Sequence, residues 1–244
     1  EGSLGISANA HATGASSAVA NAAIATFSPG FGGTGIWQVA SQQGTGNALA
    51  AISNTGTLHI GASAVAIATS GSASANAFVR HGIVQTANAN SGTASANITN
   101  AAGGTIGITA FAHAHGSSGT AQASASISSA GISQNASGPV ANANLTNAGT
   151  INIHATAMAT GTTSFNTANA AIHNGIVQNA RGTTSAAANL TNAAGGVISI
   201  VAHGSANGAN ANAGSVSTLG FGSTGALVSG GIVQNATAST GSAA

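Results

Sequence analysis

In the segment TIGITAFAHA, Ile106, Ile108, Ala110, Ala112 and Ala114 alternate with Thr105, Gly107, Thr109, Phe111 and His113. A period of two puts the first set on one face of an extended strand and the second set on the other. The alternation returns through most of the chain, broken by Gly-rich stretches such as NAAGG, HGSSG, TSGS and ASTGS. Apolar residues do not recur at three and four, and Gly, Ser, Thr and Asn are poor helix formers. The pattern predicts strands and no helices.

The strands belong to repeats. One phrase reads ANITNAAGGTIGITAFAHAHG from Ala96, ANLTNAGTINIHATAMATG from Ala143 and ANLTNAAGGVISIVAHG from Ala188, with degraded forms from Ile52 and Gly2. A second phrase interleaves with it: GIWQVA at Gly35, GIVQTA at Gly82, GISQNA at Gly131, and GIVQNA at Gly175 and Gly231, at successive spacings of 47, 49, 44 and 56 residues. Each long repeat also divides in two. ASANITNAAGGTIGITAFA and QASASISSAGISQNAS share a skeleton of A-x-A-x-I-x-(N/S), a glycine turn, then I-x-(I/Q)-x-A.

A strand-turn-strand unit of that size cannot bury its own inner face, whereas stacked copies can. The expectation is an all-β parallel β-solenoid, a single repeat array over residues 1–244 with partial repeats at both ends. It would have about ten rungs of about 24 residues, or alternatively about five rungs of about 48. Inner-facing amides bear on the choice. Gln38, Gln85, Gln134, Gln178 and Gln234 sit two residues after the inner Ile of the GIxQ phrase, and Asn54, Asn100, Asn147 and Asn192 two residues after Ile52, Ile98, Leu145 and Leu190. A lone buried amide costs a few kcal/mol, but amides stacked along an axis donate and accept in ladders. Rungs of 48 residues would put Gln directly on Gln, whereas the internal half-repeat favours 24, which is the preferred reading. The simpler role for these amides is to satisfy turns.

Composition agrees with stacking. Of the 244 residues only Glu1, Arg80 and Arg181 carry a formal charge, and Asp, Lys, Cys and Tyr are absent. In a parallel stack a repeated charge becomes a column of like charges about 4.8 Å apart, so removing charge relieves repulsion. The same composition removes function classes. Nucleic-acid binding lacks its basic residues, and no run reaches the length of a membrane helix. Apart from Glu1 there is no carboxylate side chain, thiol or lysine to serve as acid, base or nucleophile, which argues against an enzyme and predicts no cofactor. Carboxylate-built calcium sites are excluded on the same ground.

Three surface features remain. His11, His59, His113, His154 and His203 have outward parity, so a row of imidazoles is a candidate metal or pH-sensitive site, although their offsets vary and solvated His is the ordinary reading. The outward residue of GIxQ is Trp37, Val84, Ser133, Val177 and Val233 in turn, an apolar stripe suited to lateral contact between filaments. Asn97, Asn135, Asn144, Asn189 and Asn235 fit the N-glycosylation pattern, which strand composition alone produces here. No regular Thr-x-Thr column of the ice-binding kind is present. The sequence lacks Lys for blunting edges, and Pro29 and Pro139 fall in glycine-containing loops. Its start and end each hold part of one unit, as either head-to-tail growth or excision from a longer array would give.

The phrases LTNAGTINI, LTNAAGGVISI and ITNAAGGTIGI resemble the repeats of large bacterial surface proteins, the filamentous-haemagglutinin-type adhesins and autotransporter passengers. That resemblance implies a parallel β-helix, secretion to the cell surface or beyond, and a part in adhesion or biofilm. ASISSAGISQNASG is similar to curli-type fibre subunits, although the regular curli spacing of Gln, Gly and Asn does not recur. The expected function is a structural subunit or segment of an extracellular bacterial fibre, with itself as partner in a head-to-tail homopolymer. The alternative is the β-helical stalk of an adhesin that binds a surface or glycan.

Overall fold

The computed structural model describes residues 2–24, 33–162, 165–208, 210–212 and 225–244, so Glu1 and Pro29 lie outside it. The fold is all-β, built from parallel sheets, and no helix occurs among the described residues. The chain passes first through β1 (Ser3–Gly14), β2 (Ser17–Ile24), β3 (Thr34–Thr45) and β4 (Ala48–Asn54). It continues through β5 (Thr57–Ala68), β6 (Ser72–Ser91) and β7 (Thr93–Asn100), then β8 (Thr105–Gly116) and β9 (Ala121–Asn147). Next come β10 (Thr150–Gly161) and β11 (Phe165–Asn192), and finally β12 (Val197–Asn207), β13 (Asn210–Asn212), β14 (Gly225–Ala238) and β15 (Ser242–Ala243).

One sheet has the order β1-β5-β8-β10-β12. The other ten strands form the second sheet, along β2-β6-β9-β11-β13, with β3 on β6, β7 on β9, β4 on β7, and β14 and β15 on β11. Partners are equivalent residues of successive long repeats: Ile6, Ile60, Ile108, Ile153 and Ile200 form one column of the first sheet. Ile83, Ile132, Ile176 and Ile232 form one in the second. The glutamine column meets at sequence separations of 47, 49, 44 and 56. No described pair of strands is offset by the 24-residue half, so the preferred shorter unit is corrected to the longer one.

The reason lies in what the two glycine sites do. In the first half-repeat, Ala101 to Gly104 make a tight turn closed by Gly104 N–H to Ala101 O at 2.9 Å, and Gly103 takes φ +79°. Positive φ at the third turn position is costly for any residue with a Cβ. The chain there leaves the second sheet at β7 and enters the first at β8. In the second half-repeat, Gly131 makes no turn: β9 continues through it, with a register irregularity just before it where the buried positions pass from Ala125 and Ile127 to Ala130 and Ile132. A Cβ on Gly131 would stand 2.8 Å from both Cδ1 and Cγ2 of Ile153, so the glycine marks a close approach between sheets. Two halves with one skeleton therefore have different paths and cannot stack on each other. Pro139 likewise lies inside β9, beside a register break between Gly182 and Ser185 of β11, where its missing N–H costs no ladder bond.

Two cores follow from the alternation. Ala62, Ala64, Ala66 and Ala68 of β5 face Ala73, Ala75, Ala77 and Val79 of β6, and this core continues into the Ile columns. A second core is alanine alone, with Ala87 and Ala89 of β6 and Ala94 and Ala96 of β7 among its members. Each alanine buries little apolar area and each isoleucine contributes roughly 1.5–3 kcal/mol, so cohesion concentrates at the Ile columns.

Candidate functional site: stacked amide columns

Because strands pair in register at one long repeat, each inner amide meets its own kind. Gln85 Nε2 donates to Gln38 Oε1 at 2.8 Å, Gln134 to Gln85 at 3.0 Å, Gln178 to Gln134 at 2.9 Å and Gln234 to Gln178 at 2.9 Å. Gln85, Gln134 and Gln178 are fully buried. Their second contacts go to carbonyls of the facing strand segment: Gln134 Nε2 reaches Ala96 O and Asn144 O, both at 2.9 Å.

The asparagine column runs the other way. Asn54 Nδ2 donates to Asn100 Oδ1 at 2.8 Å, Asn100 to Asn147 at 2.8 Å, and Asn147 to Asn192 at 2.7 Å. These side chains also hold turns, since Asn147 Nδ2 reaches Gly149 O at 3.1 Å and Val197 O at 3.0 Å. Stacking and turn satisfaction are thus one arrangement here, not competing roles.

Two outward amide columns escaped the sequence reading. Asn144 Nδ2 donates to Asn97 Oδ1 and Asn189 Nδ2 to Asn144 Oδ1, each at 3.0 Å. Asn179 Nδ2 donates to Asn135 Oδ1 and Asn235 Nδ2 to Asn179 Oδ1, each at 2.9 Å. Five of these six asparagines, all but Asn179, were visible as a glycosylation pattern, but the signal for stacking was their equal place in successive long repeats. Asn166 was missed altogether because it stands outside the repeated phrases. It is buried, accepts Ala121 N–H at 3.0 Å, and donates to Gly161 O and Asn207 O.

The outward stripe also stacks: Trp37, Val84, Ser133, Val177 and Val233 are successive register partners, with Trp37 exposed and the others half-buried. Those five histidines do not come together. His11 and His113 share a column with Val65 between them, while His59, His154 and His203 each fall in a different column of the same face. No group of three His, Cys, Asp or Glu side chains placed to hold a metal occurs among the described residues. Burial, reinforced by the Arg80 charge, lowers the His81 pKa below the usual histidine value; burial and then His115 do the same for His113. No helix among the described residues is long and apolar enough to cross a membrane.

The arrangement is one of recognition along an axis. Each level offers backbone donors and acceptors, an amide, and an apolar column to the next. No protein-family model matches the chain, and no curated protein or solved structure matches it.

Proposed function

We propose that the chain is a structural segment of an extracellular bacterial fibre, a parallel β-solenoid of about five rungs of about 48 residues that assembles by axial stacking. At ~4.8 Å per rung this is a unit on the order of 24 Å tall. The observation that carries the reading is the pair of inner amide columns, which run level to level with like on like. Such columns have one register, and each level added satisfies the amides below it. The resemblance to adhesin and curli-like repeats supports a surface or extracellular place and a role in a biofilm matrix. The stripe from Trp37 to Val233 suits lateral contact between filaments.

Negative-stain electron microscopy with fibre diffraction tests the proposal. Unbranched filaments at neutral pH with a reflection at about 4.8 Å along the axis are expected. Particles that stay short and separate at every concentration would overturn self-assembly and favour the adhesin-stalk reading.

A further inference from the structure

Two neighbouring columns on the outer face of the first sheet bring three metal-binding side chains together. Val65, His113 and Met158 are successive register partners across β5, β8 and β10, and two residues on so are Ile67, His115 and Thr160. His113 and His115 share one strand and one face, their backbones about 6.6 Å apart. Met158, the only methionine of the chain, lies about 4.8 Å from His113 across the ladder. The same two columns hold His11 and Thr13 in β1, and Ser205 and Asn207 in β12, so no other level repeats the set. β8 pairs with β5 and β10, and β10 with β8 and β12, so the cluster is complete inside the array.

The surroundings narrow the chemistry. His115 Nδ1 lies 2.9 Å from Thr160 Oγ1. The tautomer that donates there leaves Nε2 with its lone pair and fixes the ring, the usual support for a metal-bound imidazole. Val65 and Ile67, both half-buried, flank the two histidines on the β5 side, while Met158 is exposed on the other. No carboxylate side chain or cysteine occurs among the described residues. The cluster therefore offers two neutral imidazoles and a thioether, with no negative charge to offset a divalent ion. A thioether beside imidazoles selects Cu(I). Other histidines of this face have no such company: His59 pairs with Gly107, and His154 with Thr109 and Val201.

We propose that His113, His115 and Met158 form a Cu(I) site, with the two imidazoles and the Met158 sulfur as ligands and Thr160 as the residue that positions His115. The site needs one copy of the chain and is independent of fibre assembly.

Anaerobic titration of the full chain with Cu(I), kept reduced by ascorbate and competed with bicinchoninate, tests the proposal. One ion per chain is expected, and X-ray absorption at the copper edge should show one sulfur bonded to it. Met158→Leu keeps the side-chain volume, so it should erase the sulfur signal and weaken binding about tenfold or more. His115→Asn should weaken binding at least as much, and Thr160→Val, which removes only the hydroxyl beside His115, about tenfold. His154→Asn, on the same face, should leave the affinity unchanged. All four side chains point outward, so each variant should keep the wild-type circular dichroism without copper. Affinity unchanged in Met158→Leu overturns the site. So does an equal loss in His154→Asn and His115→Asn, the mark of an adventitious ion only, spread over scattered imidazoles. Displacement of Cu(I) by equimolar Zn²⁺ overturns the choice of metal.

Discussion

Replacing Gln134 by Leu isolates the worth of one amide in the column. Leu keeps the volume and the inner parity, so no cavity opens. The change removes donation to Gln85 Oε1, Ala96 O and Asn144 O, and acceptance from Gln178 Nε2. Gln178 keeps Ala143 O and Asn189 O, so its amide stays satisfied. Gln85 Oε1 does not, and Gln85 is fully buried. An orphaned buried acceptor costs about 1–3 kcal/mol, and each of the two carbonyls forfeits a smaller amount. After the gain from burying Leu in place of an amide, the net loss is about 2–4 kcal/mol. Gln38→Leu removes donation to Ala51 O and acceptance from Gln85 Nε2, but Gln85 Nε2 keeps Asn97 O and no buried acceptor is orphaned, so it costs about 1 kcal/mol or less. Changing all five glutamines to Leu leaves no amide in the column unpaired, and the loss falls well below five single losses. Urea unfolding of the dispersed chain, read as the midpoint at unchanged slope, measures all three. A Gln134→Leu midpoint equal to that of Gln38→Leu would refute the argument.

Gly131→Val should destabilise by about 1–3 kcal/mol through overpacking against Ile153, and Ile153→Ala in the same chain should recover part of it, a coupling that a double-mutant cycle reads directly. Asn147→Asp puts an acceptor-only group against Gly149 O, Val197 O and the Asn192 amide oxygen, so a loss of several kcal/mol is expected at pH 7, with partial recovery in thermal melts at pH 4 as the carboxyl gains a proton. His81 and His113 have lowered pKa values in the fold, so below about 6.5 the unfolded chain binds more protons. Stability should hold above that pH and decline as pH falls toward the folded-state values. His81→Asn with His113→Asn should flatten the decline in urea midpoints measured from pH 8 to pH 5.

Strand character and face were legible in residues such as Ile106, Ala110 and Ala114, because alternation is a local property. The partners of those strands were not, because the two half-repeats share a skeleton and differ only in context. Gly103 and Gly131 look alike in sequence, yet one turns the chain and the other admits a methyl group from the facing sheet. The glutamines held the correct information, since only the long repeat sets Gln85 on Gln134, and their chemistry outweighs the resemblance between halves. The outward Asn columns were overlooked because the motif around them was read as a modification pattern. Asn166 left no repeated trace at all.

The central claim is that like residues lie one over another at one long repeat. Spin labels at Val39→Cys and Asn235→Cys, in chain diluted with unlabelled protein, test it by a single distance. Stacking at the long repeat places the two backbone positions four spacings apart, about 19 Å. Stacking at the 24-residue half would place them about 38 Å apart, and that distance, or any broad longer one, would contradict the account.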